Sequence, residues 1–137
     1  MLVVFVLLSQ ACQRSPTQTV EVVNWNTYHF FDHRAKLDEA TTWIVEEKPD
    51  LVALQEVLHC DEAGLEKLAL AWGHEHAVMH KEQGYPVALT SSAPIEVLQR
   101  RVDGFHHGYL HARTHGIDVF VVHFWPTKPT EAVTVAE

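Results

Sequence analysis

Apolar and polar positions divide the chain into short strands and two helices. Leu51, Val52, Ala53 and Leu54 form an unbroken apolar run, the pattern of a strand buried on both faces. Pro49-Asp50 stops a helix just before it, and the run ends at Gln55-Glu56. Upstream, Thr19–Asn26 alternates and is β-branched, which predicts the first strand. Between the two, Leu37, Ala40, Trp43, Ile44 and Glu47 follow helical spacing from a start near Asp32 or His33. Strand, helix and strand make a βαβ-like unit with its strands parallel. Asn26 and Glu56 then fall on one rim of the sheet, where ligands bind in open α/β folds.

The second half reads mostly as strand. Glu62–Trp72 predicts a helix with Leu65, Leu68 and Ala69 inward and Gly73 at its end. His76–Met79, Val87–Thr90 and Ile95–Val102 predict strands, the last an edge strand carrying Arg100 and Arg101. Tyr109–Thr114 and Ile117–Phe124 flank His115-Gly116 as a β-hairpin. Val119–Val122 is apolar at every position, so both faces of that strand expect cover, and His123 stands at its end. Glu131–Glu137 has the look of the first turns of a helix.

Residues 1–12 read differently. Met1–Leu8 is too short to span a bilayer and fits a signal-peptide core. Ser9-Gln10-Ala11-Cys12 is similar to a bacterial lipoprotein cleavage box, although Leu8 stands four residues before the cysteine rather than three and no basic segment precedes it. The expectation is a leader over 1–12 with lipidation at Cys12, a tether over 13–18 and a domain over 19–137. That places the protein outside the cytoplasm, in a bacterial envelope or periplasm, with a lipid anchor as its route to the membrane.

Composition narrows the function. The 137 residues are 47% hydrophobic and 20% charged, enough for one domain with a real core. A formal net charge of −8, with Arg100-Arg101 the one basic cluster, speaks against a broad nucleic-acid surface. It leaves room for an enzyme that recruits a divalent cation against phosphate charge. Two cysteines make no disulfide framework.

Five segments in this order resemble the endonuclease/exonuclease/phosphatase superfamily, the deoxyribonuclease-like phosphoesterases. They are Val23-Asn24-Trp25-Asn26, Lys48-Pro49-Asp50 through Leu54-Gln55-Glu56-Val57, Pro86–Ser91 with Pro94-Ile95, Gly108–Ala112, and Val121-Val122-His123. The resemblance implies an α+β, four-layer α/β/β/α sandwich and metal-dependent hydrolysis of phosphodiesters or phosphomonoesters. It implies Glu56 as a ligand of Mg²⁺ (Mn²⁺ as its substitute), Asn26 beside the metal, and His123 against the scissile phosphate. His107 falls where many relatives place a phosphate-facing Arg. Oxygen donors and retained waters are what Mg²⁺ prefers, so one carboxylate with one amide is a plausible half-site. An imidazole of ordinary pKa can donate to a phosphate oxygen.

The chain departs from the family after His123. No Asp or Asn follows Asp118, so the Gly-Asp-x-Asn segment and the later Asp-His pair have no counterpart. The expectation is therefore a partial sandwich, its second half missing, inactive as given and prone to self-association through uncovered apolar faces. The rival readings are a catalytically dead binding module on the same half-fold and a small His-rich metal-binding lipoprotein. Singly, Glu56 is also a strand cap, Asn26 a turn residue and His123 a core histidine bonded to backbone. His74, His76 and His80 invite a zinc site, but their spacing favours a solvated helix-to-strand edge. Cys60 reads as a buried thiol.

Overall fold

The computed structural model describes residues 19–28, 34–104 and 107–124. The leader with Cys12, the tether, the expected helix start at Asp32 or His33 and the expected helix at Glu131–Glu137 lie outside them. In chain order the elements are β1 (Val22–Asn26), α1 (Arg34–Glu47), β2 (Leu51–Gln55), α2 (Glu62–Ala71), β3 (His76–Met79), β4 (Val87–Ser91), β5 (Glu96–Arg101), β6 (Tyr109–Thr114) and β7 (Ile117–Val122). Among the described residues, no helix is long and apolar enough to cross a membrane.

The strands form two sheets. The first has the order β1-β2-β4-β3, with β1 parallel to β2 and both pairs of β4 antiparallel. The second, β5-β6-β7, is antiparallel throughout. β2 shows why its apolar run is continuous. Leu51 and Ala53 point to the second sheet, into a core with Val78, Val87, Leu89, Leu110, Ala112 and Val121. Val52 and Leu54 point the other way, into a core with Ile44, Leu65, Leu68 and Trp72 from the helices. A fully buried Val or Leu contributes about 1.5–3 kcal/mol over its exposed state, so these two cores hold the layers together.

Local signals set the boundaries. Lys48 takes a left-handed φ of 51° directly before Pro49, and its N–H still donates to Ile44 at 2.9 Å, which closes α1. Asp61 caps α2 by accepting from the Gly64 N–H at 2.7 Å. At its other end Gly73 and His74 N–H groups donate back to the Leu70 and Ala69 carbonyls, a Schellman closure. His115 and Gly116 both have positive φ, 51° and 74°, as a two-residue hairpin turn of the twist-matched kind requires.

The described residues form three of the four expected layers: helices, first sheet, second sheet. The outer face of the second sheet is not covered among the described residues. Val121 is buried, but Phe120 beside it is 58% exposed: among the described residues one face of β7 has cover and its apolar outer face has none. The alternation places Phe120 on the face that a fourth layer would cover.

Candidate functional site

Three strand ends converge on one carboxylate. β1 and β2 run in parallel register with Asn26 opposite Gln55, so the chain leaves both at the same rim. β7 lies in the facing sheet and delivers His123 just past Val122. Glu56 leaves β2 with φ of 56°, a left-handed conformation that costs a non-glycine residue about 1–2 kcal/mol. The turn is held from β1: the Thr27 N–H donates to the Gln55 carbonyl at 2.9 Å, and its hydroxyl sits 2.9 and 2.8 Å from the Gln55 and Glu56 carbonyls. Gln55 adds a bond from Nε2 to Asn24 Oδ1 at 2.7 Å. The strained turn aims the buried Glu56 carboxylate into the rim rather than out to water.

Asn26 Nδ2 donates to Glu56 Oε1 at 2.9 Å, and His123 Nε2 approaches the same oxygen at 3.2 Å. The Asn26 amide is oriented by the Tyr28 N–H, which donates to Oδ1 at 3.0 Å. Both contacts to Glu56 fall on Oε1. His123 thus faces the Glu56 carboxylate through Nε2, at ion-pair distance. Its Nδ1 is buried and has no hydrogen-bond partner among the described residues.

Aromatic rings back the histidine. His107, 3% exposed, stacks on His123 with centroids 4.5 Å apart and planes 15° from parallel. Tyr85 meets His107 edge-on at 4.8 Å and lies 6.0 Å from His123. His80 fixes this arrangement. The Val87 N–H donates to its Nδ1 at 2.9 Å, so its proton is on Nε2, which donates to the His107 carbonyl at 2.8 Å. Gly108 makes that approach possible. A Cβ there would stand 2.2 Å from the Arg101 carbonyl and 2.9 Å from His80 Nε2.

The structure therefore brings Glu56, Asn26, His123 and His107 together, with His107 as a buried ring behind His123 rather than an open side chain. Cys12 is outside the described residues. The reading of His74 and His80 as solvated is corrected: they are 2% and 4% exposed, because each ring ties two segments together. His74 Nε2 donates to the Pro49 carbonyl and Nδ1 accepts from the Thr90 hydroxyl, both at 2.8 Å. Burial holds both histidines below the ordinary imidazole pKa. Cys60 is half-buried, and burial with the nearby Asp61 charge pushes its thiol up to about 11. Among the described residues no group of three His, Cys, Asp or Glu side chains is placed to hold a metal. The Asn26 amide turns Nδ2 to Glu56 and Oδ1 to the Tyr28 N–H, so the donor here is the Glu56 carboxylate, an oxygen ligand that suits a hard cation keeping most of its waters rather than zinc.

Sequence reasoning missed Thr27, Tyr85 and the structural role of His80. Thr27 directly follows Asn26, and Tyr85 sits inside Gly84-Tyr85-Pro86; turn residues flanking strand ends were the available signal.

The architecture of two packed sheets with helices on one side is a partial α+β, deoxyribonuclease-like fold. An AP endonuclease from Archaeoglobus fulgidus is similar over 74% of this chain and 40% of its own, at 24% identity and a TM-score of 0.57. A D. rerio TDP2 crystallised with a single-strand DNA product is similar over 74% of this chain and 43% of its own, at 14% identity and a TM-score of 0.51. The chain thus spans less than half the length of these structures. No family model and no curated protein matches it.

Proposed function

We propose that these residues supply the cation- and phosphate-holding half of a site for metal-dependent phosphoester hydrolysis. The observation that carries the reading is the single oxygen, Glu56 Oε1, on which Asn26 and His123 converge from three strand ends. The Glu56 carboxylate is the hard donor, and Asn26 holds it in place. His123 is set beside it to donate to a phosphate oxygen, with its ring orientation fixed by the His107 stack. The chemistry supplied by a bound Mg²⁺ or Mn²⁺ is polarisation of a phosphoryl oxygen and relief of charge on the leaving oxygen. Holding and orienting the ester, rather than activating the attacking water, is the part of the reaction these residues account for. Export with a lipid at Cys12 belongs to the same reading.

Mn²⁺ titration followed by NMR tests the site without needing turnover. Paramagnetic broadening is expected first at the Asn26 side-chain amide and the His123 ring, and Glu56→Gln is expected to weaken Mn²⁺ binding at least ~10-fold. Broadening that survives Glu56→Gln unchanged, or that centres on His74 and His76, overturns the assignment.

A further inference from the structure

Tyr85 has a place that phosphate and cation binding alone do not explain. It is 41% exposed, yet its ring lies against buried His107 and half-buried His123. The loop that carries it is tied to the site from both sides. Pro86 accepts a 3.1 Å bond from the N–H of Val57, the residue after Glu56. Val87 exchanges backbone and side-chain bonds with His80. The ring is thus a held aromatic surface beside the site, and Phe124, which follows His123 in the chain, is exposed as well. Leaving that much aromatic area in water forgoes hydrophobic stabilisation in the free protein, whereas a ligand ring that covers it recovers the gain without an ordering cost.

Electrostatics point the same way. The chain carries a net charge of −8, and the basic pair is engaged elsewhere: Arg100 Nε donates to the Met79 carbonyl and Arg101 Nε to the Asp103 carbonyl. An anionic ester therefore gains little from long-range attraction. Affinity and selectivity must come from short-range contacts, and beside the phosphate contacts of His123 the rim offers stacking on Tyr85.

We infer that Tyr85 is the stacking platform that selects phosphoesters carrying a flat aromatic group, an aryl ring or an unstacked nucleobase, close to the phosphate. The inference rests on the reading of Glu56 and His123 as the phosphate site. A duplex, whose bases are already stacked, does not present such a ring.

Three phosphodiesters of equal charge test it: dimethyl phosphate, phenyl methyl phosphate and the methyl ester of thymidine 5′-phosphate. Each is titrated into the 137-residue chain with Mg²⁺ and followed by NMR shifts of the His123 ring. The aromatic esters are expected to bind at least ~5-fold more tightly than dimethyl phosphate. Tyr85→Leu is expected to erase that ratio and Tyr85→Phe to keep it, a selectivity that a merely structural tyrosine would not control. Tighter binding of the thymidine ester assigns a nucleobase as the guest, and equal or tighter binding of the phenyl ester assigns an aryl group. Equal binding of all three, or a preference that survives Tyr85→Leu, overturns the platform while leaving the phosphate site intact. Binding of none overturns both.

Discussion

His74 and His80 spend both ring nitrogens on atoms of the fold, whereas His123 gives one nitrogen to a carboxylate and buries the other with no partner among the described residues. All three are largely enclosed, so burial does not separate them. What separates them is saturation. His74 links Pro49, at the entry to β2, with Thr90 on β4. His80 links the β4 strand with the His107 carbonyl. These rings are struts. A buried polar atom left unbonded costs roughly 1–3 kcal/mol, and a fold tolerates that where the partner is to come from outside. The orphaned nitrogen and the left-handed Glu56 lie at the same place, and two local costs at one rim mark it as built for something other than stability.

The largest expected effect follows from that contrast. His74→Ala removes a ring that is 2% exposed and strands the Pro49 carbonyl and the Thr90 hydroxyl. Urea denaturation should show a loss of about 2–4 kcal/mol. His123→Ala removes a ring that brings its own unpaired nitrogen and should cost no more than about 1 kcal/mol. A greater loss at His123 than at His74 would break the distinction between strut and site.

The sequence shows the difference unequally. β2 is legible to the residue, because a strand with cover on both faces has a continuous apolar run and a tight turn at each end. Asn26, Glu56 and His123 are legible as strand-end residues, and strand ends in parallel register share a rim. Their meeting on one oxygen is not, since Glu56 and His123 are far apart in sequence and belong to facing sheets. The burial of His74 and His80 is hidden for the same reason: the Pro49 carbonyl and Thr90 hydroxyl that pair with His74 lie 25 and 16 residues away. Periodicity reports the face a side chain takes and says nothing of which distant atom waits there. Phe120 marks the opposite limit. Its apolar neighbours signal cover on both faces, yet the described residues cover only one.

A smaller effect sharpens the comparison through pH. Burial, the largest cause, depresses the His74 and His80 pKa values in the fold. In the unfolded chain an imidazole titrates near ~6.5. Below that pH the unfolded chain binds protons that the fold refuses, so stability is full above about pH 6.5 and falls as pH drops toward the folded-state values. Melting temperature should therefore decline between pH 7 and pH 5. His80→Gln lowers the whole curve but should make that decline shallower, because one refused proton is gone. An equally steep decline in His80→Gln would show that other groups carry the acid sensitivity.

The smallest effect belongs to a third kind of histidine, one held at the surface. His111 stacks on Phe120 with centroids 3.9 Å apart and planes 12° from parallel, and its Nε2 lies 3.2 Å from Asp118 Oδ1. Neither contact is exclusive. Arg113 holds both Asp118 oxygens, at 3.1 and 3.2 Å, and lowers the carboxyl pKa more than His111 does. Phe120 also packs near Tyr109, at 6.3 Å. Removing His111 strands no buried atom, and exposed ion pairs are weak and screened by salt. His111→Ala should therefore shift the melting temperature by no more than ~2 °C, with the shift fading in 1 M NaCl. A drop as large as that of His74→Ala would mean that something covers the outer face of β6 and β7, because only a covered face makes this ring costly to lose.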